Sequence, residues 1–206
     1  MVAESRRERK KQQVRNQLVE AAIRLFGEQG YERTTVAQIA AAADVATKTF
    51  FNHFGSKEDV LFVDSGRHAE IALGVIADRG PDESPADLLL RLYEAMREDF
   101  LAQSAARDPE LMRSYARLLM LEPALHALAL RRSLDLQRRI ADALAEAYPD
   151  TLDPVSASAV VGAMVGAAQG AALRSLELGE SEERFWVTTR RGVEIGLYGF
   201  GRAIFG

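Results

Sequence analysis

Residues 35–54 read TVAQIAAAADVATKTFFNHF and break at Asp44-Val45 into two short segments of helical periodicity. The apolar residues of each segment recur at helical spacing: Val36, Ile39 and Ala40 in the first, and Ala46, Phe50 and Phe54 in the second. Residues 14–29 carry a third apolar face, so three helices can close one small core. The pattern predicts a helix-turn-helix that packs on a preceding helix.

The second of these helices leaves a polar surface outside the core, made of Thr47, Lys48, Phe51 and Asn52. Amide and hydroxyl groups can reach base edges in a major groove, and cations can reach phosphates or guanine. Helix N-termini at Thr35 and Ser56 would add backbone N–H groups that bind phosphate, with Lys57 beside the second. The head of the chain therefore carries the chemistry of a DNA-binding surface.

The charge of the chain is unevenly distributed. Residues 1–57 contain ten Lys or Arg and six Asp or Glu, which gives this segment +4 in a chain whose total is −4. A positive head suits a polyanion, and the acidic remainder repels one. The basic run from Arg6 to Lys11 leaves two alternatives open. It is either a solvated, disordered tail or an arm that follows the duplex backbone or enters the minor groove.

The rest of the chain has helical periodicity throughout, which predicts an all-α fold. Capping pairs such as Ser84 with Asp87, and prolines that follow Ser, Asp or Glu, mark where helices begin. About nine helices result, near 14–29, 35–42, 46–53, 57–78, 85–106, 109–120, 123–147, 154–178 and 182–204. We expect a helix-turn-helix DNA-binding domain at 1–57 and a larger helical-bundle domain at 58–206 for effector binding and dimerisation.

Over roughly residues 12–62 the chain resembles the DNA-binding head of TetR-type transcriptional regulators. The resemblance rests on Gly30-Tyr31, Thr34-Thr35-Val36, Ile39-Ala40, the run from Val45 to Phe54, and Ser56-Lys57-Glu58. It implies a role for each of seven residues. Thr35 would cap the second helix and contact phosphate. Contacts with bases or nearby phosphates would come from Thr47, Lys48, Thr49 and Asn52. His53 and Lys57 would bind backbone phosphates.

Two positions depart from the commonest pattern of that family. Ala46 stands where a capping serine is usual, which weakens the helix cap by up to about 1 kcal/mol. Phe51 stands where a tyrosine usually donates its hydroxyl to phosphate. Phe51 is therefore a candidate for apolar contact with a thymine methyl group or a sugar.

The predicted bundle supplies adaptable and aromatic side chains of the kind that line ligand pockets. The candidates are Tyr93, Met96, Phe100, Tyr115, Leu119 and Met164, with Gln169 as a polar contact. Most such residues in a bundle are plain core. The sequence therefore indicates where a small, largely apolar effector would bind without selecting among these side chains.

Residues 155–173 contain no charge and repeat small residues every four positions. Small residues at this spacing let two helices approach closely, and we expect a buried helix pair and a homodimer interface here. The residues are Gly162, Gly166 and Gly170, matched by Gly192 and Gly196 in the last helix. The alternative is a transmembrane helix, which the shortage of Leu, Ile and Phe disfavours.

The sequence lacks the motifs of several enzyme classes. It has no cysteine, no His-Glu-x-x-His, no phosphate-binding glycine loop and no Gly-x-Ser-x-Gly. The charged start without an apolar run predicts a cytoplasmic protein. We therefore expect a homodimeric repressor that binds a palindromic operator in duplex DNA. We expect it to need no cofactor and to bind no membrane. An effector would release it by tilting helix 57–78. The alternative is a helical-bundle enzyme or binding scaffold without DNA function.

Overall fold

The computed structural model describes residues 6–63, 65–104 and 108–199. Within these ranges the chain forms nine α-helices, one 3-10 turn and no strand, which confirms the all-α prediction. The helices are α1 Arg6–Gln29, α2 Val36–Ala42, α3 Thr47–Phe51, α4 Ser65–Ala77, α5 Pro85–Ser104, α6 Pro109–Leu121, α7 Pro123–Ala147, α8 Pro154–Glu177 and α9 Glu182–Tyr198, and the 3-10 turn is Glu58–Leu61.

The helix starts follow the local signals of the sequence. The Thr35 hydroxyl accepts from the backbone N–H of Gln38, and the Gln38 side chain accepts from the backbone N–H of Thr35 at 2.8 Å, which closes a capping box. Helices α5 to α8 all begin at proline. Asp108 and Asp153 cap α6 and α8 with their carboxylates. Residues at these positions satisfy N–H groups that a helix cannot bond itself.

Helix α1 begins earlier than residue 14, where the sequence placed it. It starts at Arg6, so the basic run from Arg6 to Lys11 forms its first turns. Arg, Lys, Glu and Gln all have high helix propensity, and the run contains no breaker before the apolar face begins. Of the two alternatives for the basic run, the disordered tail is therefore wrong for these residues.

The predicted helix over 57–78 is also wrong as a single element. The chain makes the 3-10 turn Glu58–Leu61, and α4 begins only at Ser65. Val60 and Leu61 are buried in the head, and Phe62 and Val63 pack against the same cluster. Successive residues of an α-helix point about 100° apart, so four consecutive apolar side chains cannot share one core in a regular helix.

The chain divides into two compact units. The first contains Met1–Asp64 and Ser104–Ala129, and the second contains Ser65–Gln103 and Leu130–Gly206. The core of the first unit gathers fully buried side chains from α1, α2, α3 and the 3-10 turn, including Leu18, Phe26, Ile39, Phe50 and Val60. That of the second unit is built from α4, α5, α7, α8 and α9, with Ala72, Leu88, Leu92, Leu144, Val161 and Val193 among its buried residues.

Helices α8 and α9 approach closely within the second unit. A Cβ built on Gly192 would lie 2.7 Å from the carbonyl oxygen of Ala167, and one on Gly196 would lie 2.8 Å from that of Ala163. Glycine is therefore required on α9 by backbone contact. The partner positions on α8 are alanines, so the expected pairing of glycines on both helices is corrected: only the α9 side uses them.

The glycines of α8 face away from this contact. A Cβ at Gly166 or Gly170 would meet no atom within 4 Å, and one at Gly162 would meet only the Gln137 side chain at 3.9 Å. They lie one position from the alanines that meet α9, which turns them by about 100° around the helix. By length and composition α8 alone among the described helices could also cross a membrane.

We expect Gly192→Ala to lower the free energy of unfolding by about 1–3 kcal/mol, because the added methyl group must push α8 and α9 apart. Thermal denaturation followed by far-UV circular dichroism measures the change. The matched control is Gly74→Ala in α4, where a Cβ has open space. That substitution should stabilise by about 0.5–1 kcal/mol, since alanine is the better helix former. Equal effects of the two substitutions would contradict the close contact.

Candidate nucleic-acid interface

The rotation of α3 is fixed by one buried aromatic ring. Phe50 is completely buried, and its ring lies 5.4 Å from that of Phe54. Both rings belong to the core that α1 and α2 also line. With Phe50 directed inward, the opposite side of this short helix must face solvent.

A left-handed residue sets the angle between α2 and α3. Asp44 has φ +54°, a conformation that aspartate tolerates better than most residues, and Val45 donates its backbone N–H to the carbonyl of Ala40 at 3.0 Å. The reversal takes only four residues between the helices. It brings α3 onto the same core as α2, as a helix-turn-helix requires.

The exposed side of α3 carries the residues that the sequence selected. Thr47, Lys48 and Asn52 are exposed, Thr49 is half-buried, and Phe51 has 54% of its surface exposed although it is a large aromatic residue. Thr35 is exposed at the N-cap of α2. The structure therefore exposes five of the eight candidate DNA-binding residues on or beside the helix-turn-helix and leaves Thr49 half-buried among them.

Ala46 offers no side-chain cap to α3. The start of the helix depends instead on backbone bonds, in which the carbonyl of Ala46 accepts from Thr49 at 2.8 Å and from Phe50 at 3.3 Å.

Lys57 is held differently from the expectation. Its ammonium group donates to the carbonyl oxygens of Tyr31 at 2.9 Å and of Thr34 at 3.3 Å, and it lies 4.0 Å from the centre of the Tyr31 ring. A cation over an aromatic face is favourable in its own right. The sequence placed Lys57 on a backbone phosphate, but its ammonium is bonded to the loop between α1 and α2.

Neighbouring polar groups extend the contact made by Lys57. The Tyr31 hydroxyl donates to the Glu58 carboxylate at 3.3 Å, and burial together with this carboxylate raises the pKa of Tyr31 to about 12. The buried Thr34 hydroxyl donates to the Gly30 carbonyl at 2.8 Å. Sequence reasoning missed this network because the lysine's acceptors are backbone carbonyls, which leave no residue-type signal.

His53 lies half-buried at the end of the helix-turn-helix, with its ring against Phe54. Partial burial, followed by the charges of Lys11 and Arg15, lowers the pKa of His53 below its ordinary value of 6.5. The ring is therefore neutral at neutral pH and can donate or accept a hydrogen bond. The field of two cations around it marks this end of the surface as electropositive.

The seven candidate ligand residues separate between the two units. Tyr115 donates its hydroxyl to the Leu61 carbonyl at 2.9 Å, and Leu119 packs on the core of the first unit. These two residues support the head, which corrects their assignment to a pocket in the bundle. The reason is that α6 packs along α1, a contact between distant segments that periodicity alone does not reveal.

The remaining five lie in the second unit. The Tyr93 hydroxyl bonds to that of Thr189 at 2.9 Å, and Gln169 donates to the Ser133 hydroxyl at 3.2 Å. Met164 is buried in the core and Met96 packs against it. None of the five lines the cleft of about 930 Å³ that α1, α6 and the turn after α2 form in the first unit.

Trp186 also lies in the second unit, although it is not among the candidate ligand residues. Its ring lies 5.4 Å from that of Phe100 and 5.1 Å from that of Phe185. Its indole nitrogen is buried and has no hydrogen-bond partner among the described residues. A buried donor without an acceptor is uncommon in folded proteins and calls for an explanation.

Two family models match the chain. Residues 18–62 match the model for bacterial regulatory proteins of the tetR family. Residues 86–185 match the model for the MftR C-terminal domain.

Curated relatives are similar over part of their length. The HTH-type transcriptional regulator TcmR of Streptomyces glaucescens is 36% identical over 140 residues, which cover 68% of this chain and 62% of that protein. HbdR of an Aromatoleum strain, also an HTH-type transcriptional regulator, is 49% identical over 49 residues, 24% of this chain and 21% of that one. The chain thus spans less than two thirds of either relative.

Solved structures share the fold over most of both chains. FadR of Thermus thermophilus, a transcriptional repressor in complex with lauroyl-CoA, is 25% identical, with a TM-score of 0.52 and coverage of 90% of this chain and 94% of that one. The fatty acid degradation regulator FadR of Bacillus halodurans is 19% identical, with a TM-score of 0.54 and coverage of 89% and 94%.

Lys57→Met should lower the free energy of unfolding by about 1–3 kcal/mol, because two carbonyl groups lose a charged donor while the side-chain stem is kept. Chemical denaturation followed by circular dichroism measures it. Lys48→Met is the control, since Lys48 is exposed on α3 and should change stability by less than about 0.5 kcal/mol. If both variants unfold at the same denaturant concentration, Lys57 does not hold the loop.

Proposed function

Because the chain belongs to the TetR family of bacterial regulatory proteins, we propose that it binds duplex DNA through α3 as a ligand-responsive repressor of transcription. The observation that carries the proposal is the placement of Phe50. Its burial leaves a hydroxyl, a cation, an aromatic ring and an amide on the outside of one short helix. A major groove is wide enough to admit such a helix.

Each exposed group on α3 has a distinct role in the proposal. Lys48 and Asn52 read base edges, with Thr47 and Thr49 on bases or nearby phosphates. The exposed ring of Phe51 contacts a thymine methyl group or a sugar. Thr35 and His53 meet backbone phosphates on either side.

We propose that the protein acts as a homodimer on a near-palindromic operator. One short recognition helix reads few base pairs, and two heads on one body turn the second contact into an intramolecular event. The α8 glycines and the exposed Val155 and Val187 leave an apolar, closely approachable surface on α8 and α9. Gly162, Gly166 and Gly170 would lie in that interface, whereas Gly192 and Gly196 are used within the chain.

The proposed effector is a small, largely apolar molecule. In support, the Thermus thermophilus repressor was solved with lauroyl-CoA, a ligand with an apolar chain. The aromatic and methionine side chains of α5, α8 and α9 supply a matching surface in the second unit. Trp186 would donate its unpartnered indole N–H to the polar end of this ligand. Effector binding would favour a distance between the two DNA-binding domains of the dimer at which they cannot reach both half-sites of the operator.

The assignment as a regulator replaces the alternative of a helical-bundle enzyme or scaffold. The relatives of known function are transcriptional regulators, so we assign the chain no catalytic role and a cytoplasmic location beside its DNA. The proposed DNA-binding domain is 1–57, and 58–206 would bind effector and partner.

Lys48→Ala should weaken binding to a duplex that the wild-type protein selects from a random-sequence pool by about 1–3 kcal/mol per subunit and should relax its base preference. Fluorescence anisotropy on the selected duplex and on a scrambled duplex measures both effects. Arg131→Ala in α7, an exposed arginine of the second unit, is the control and should leave both unchanged. Unchanged selectivity in the Lys48 variant would remove Lys48 from base readout.

Gly166→Leu should shift the protein towards monomer in sedimentation velocity and abolish selective DNA binding while helical content is kept. A Cβ at Gly166 would meet no atom of the chain within 4 Å, so the leucine is directed towards the surface where the partner subunit is proposed to pack. Overpacking costs about 1–3 kcal/mol per site, and a two-fold axis applies that cost twice. Gly74→Leu, at an equally open helical glycine of α4, should remain dimeric. A dimeric Gly166→Leu protein that binds normally would place the interface elsewhere.

A further inference from the structure

Most cations near the helix-turn-helix are already bonded to the protein. Lys57 is bonded to the carbonyls of the loop between α1 and α2. Arg33 donates to the Gln29 carbonyl at 2.6 Å, and Arg15 donates to the Val63 carbonyl at 3.0 Å. On α3 itself only Lys48 carries a positive charge. The carbonyls do not neutralise these cations, but they engage their N–H donors. Few donors besides Lys48 therefore remain for phosphates, whose contacts supply most of the affinity for duplex DNA.

The first turns of α1 provide the missing charge at a defined place. Arg7, Lys11 and Arg15 are spaced four residues apart, so they lie in one row along α1. The Arg15 guanidinium lies 5.6 Å over the ring of Phe54, which immediately follows the helix-turn-helix. The row therefore starts beside the end of the recognition segment and extends from it by about 12 Å, at 1.5 Å per residue.

The electrostatics of His53 agree with this placement. Lys11 and Arg15 both act on His53 strongly enough to help lower its pKa. Lys11 therefore lies within interaction range of a residue at the edge of the proposed DNA-binding surface. No described carboxylate forms an ion pair with Arg7 or Lys11.

We propose that Arg7 and Lys11 bind the phosphates of the duplex that flank the base pairs read by α3. This inference rests on the proposed function, and its partner is the phosphodiester backbone of double-stranded DNA. The helical form of the segment selects the backbone over the minor groove. An α-helix with side chains is about 10–12 Å across, whereas the minor groove is only about 6 Å wide.

The test uses the full-length double variant Arg7→Gln/Lys11→Gln, which removes two charges and keeps residues of high helix propensity. Its binding to the duplex selected by the wild-type protein, and to a scrambled duplex, is measured by anisotropy between about 50 and 200 mM salt. Arg131→Gln/Arg139→Gln, an equal loss of charge from exposed positions of α7, is the control. Circular dichroism and thermal unfolding establish that each variant is folded.

We expect the double variant to lower the slope of log affinity against log salt by about 3.6 for the proposed dimer, because it removes two cations from each subunit and each neutralised phosphate contributes about 0.9. The ratio of affinities for selected and scrambled duplex should stay unchanged, and the control should keep the wild-type slope. The inference is overturned if the double variant keeps the wild-type slope, or if the control variant lowers the slope by the same amount. A changed preference for A·T base pairs at the flanks would also overturn it, since it indicates minor-groove reading. Failure of the wild-type protein to select any duplex would instead overturn the proposed function itself.

Discussion

The burial of Phe50 is the constraint on which the presentation of the proposed DNA-binding surface depends. Helix α3 is only five residues long and has no side-chain cap, so it has little stability of its own. Its orientation is imposed by the ring of Phe50, which enters a core shared with α1 and α2. A rotation of the helix by one residue would bury Phe51 or Thr49 instead and would carry the exposed polar set away from the surface. The same packing contact therefore determines both fold and interface.

Local features of this structure were predictable from the sequence, because their causes lie within a few residues. The capping box at Thr35 and the proline starts of α5 to α8 are properties of one helical turn. The break after the 3-10 turn was not predictable from periodicity, since Phe62 and Val63 continue an apolar pattern that a helix also allows. Only their packing on the head core ends the helix there.

Long-range contacts explain what the sequence could not assign in the candidate site. The acceptors of Lys57 are backbone carbonyls more than twenty residues earlier, so its position depends on the path of a loop. Tyr115 bonds to a carbonyl 54 residues away, and no residue type marks that acceptor. On α8, a row of glycines (Gly162, Gly166 and Gly170) lies beside a row of alanines (Ala163, Ala167 and Ala171). Both rows repeat a small residue every four positions. Which row meets α9 is decided by the register of Gly192 and Gly196.

Trp186, whose indole nitrogen is buried, has a practical consequence because it is the single tryptophan of the chain. All tryptophan fluorescence therefore originates from α9 in the second unit, whereas the far-ultraviolet dichroism reports every helix. Transitions that coincide by both probes indicate one cooperative unfolding unit, and transitions that separate indicate that the two units melt independently. The protein thus contains a natural optical label that distinguishes the stability of its bundle from that of its head.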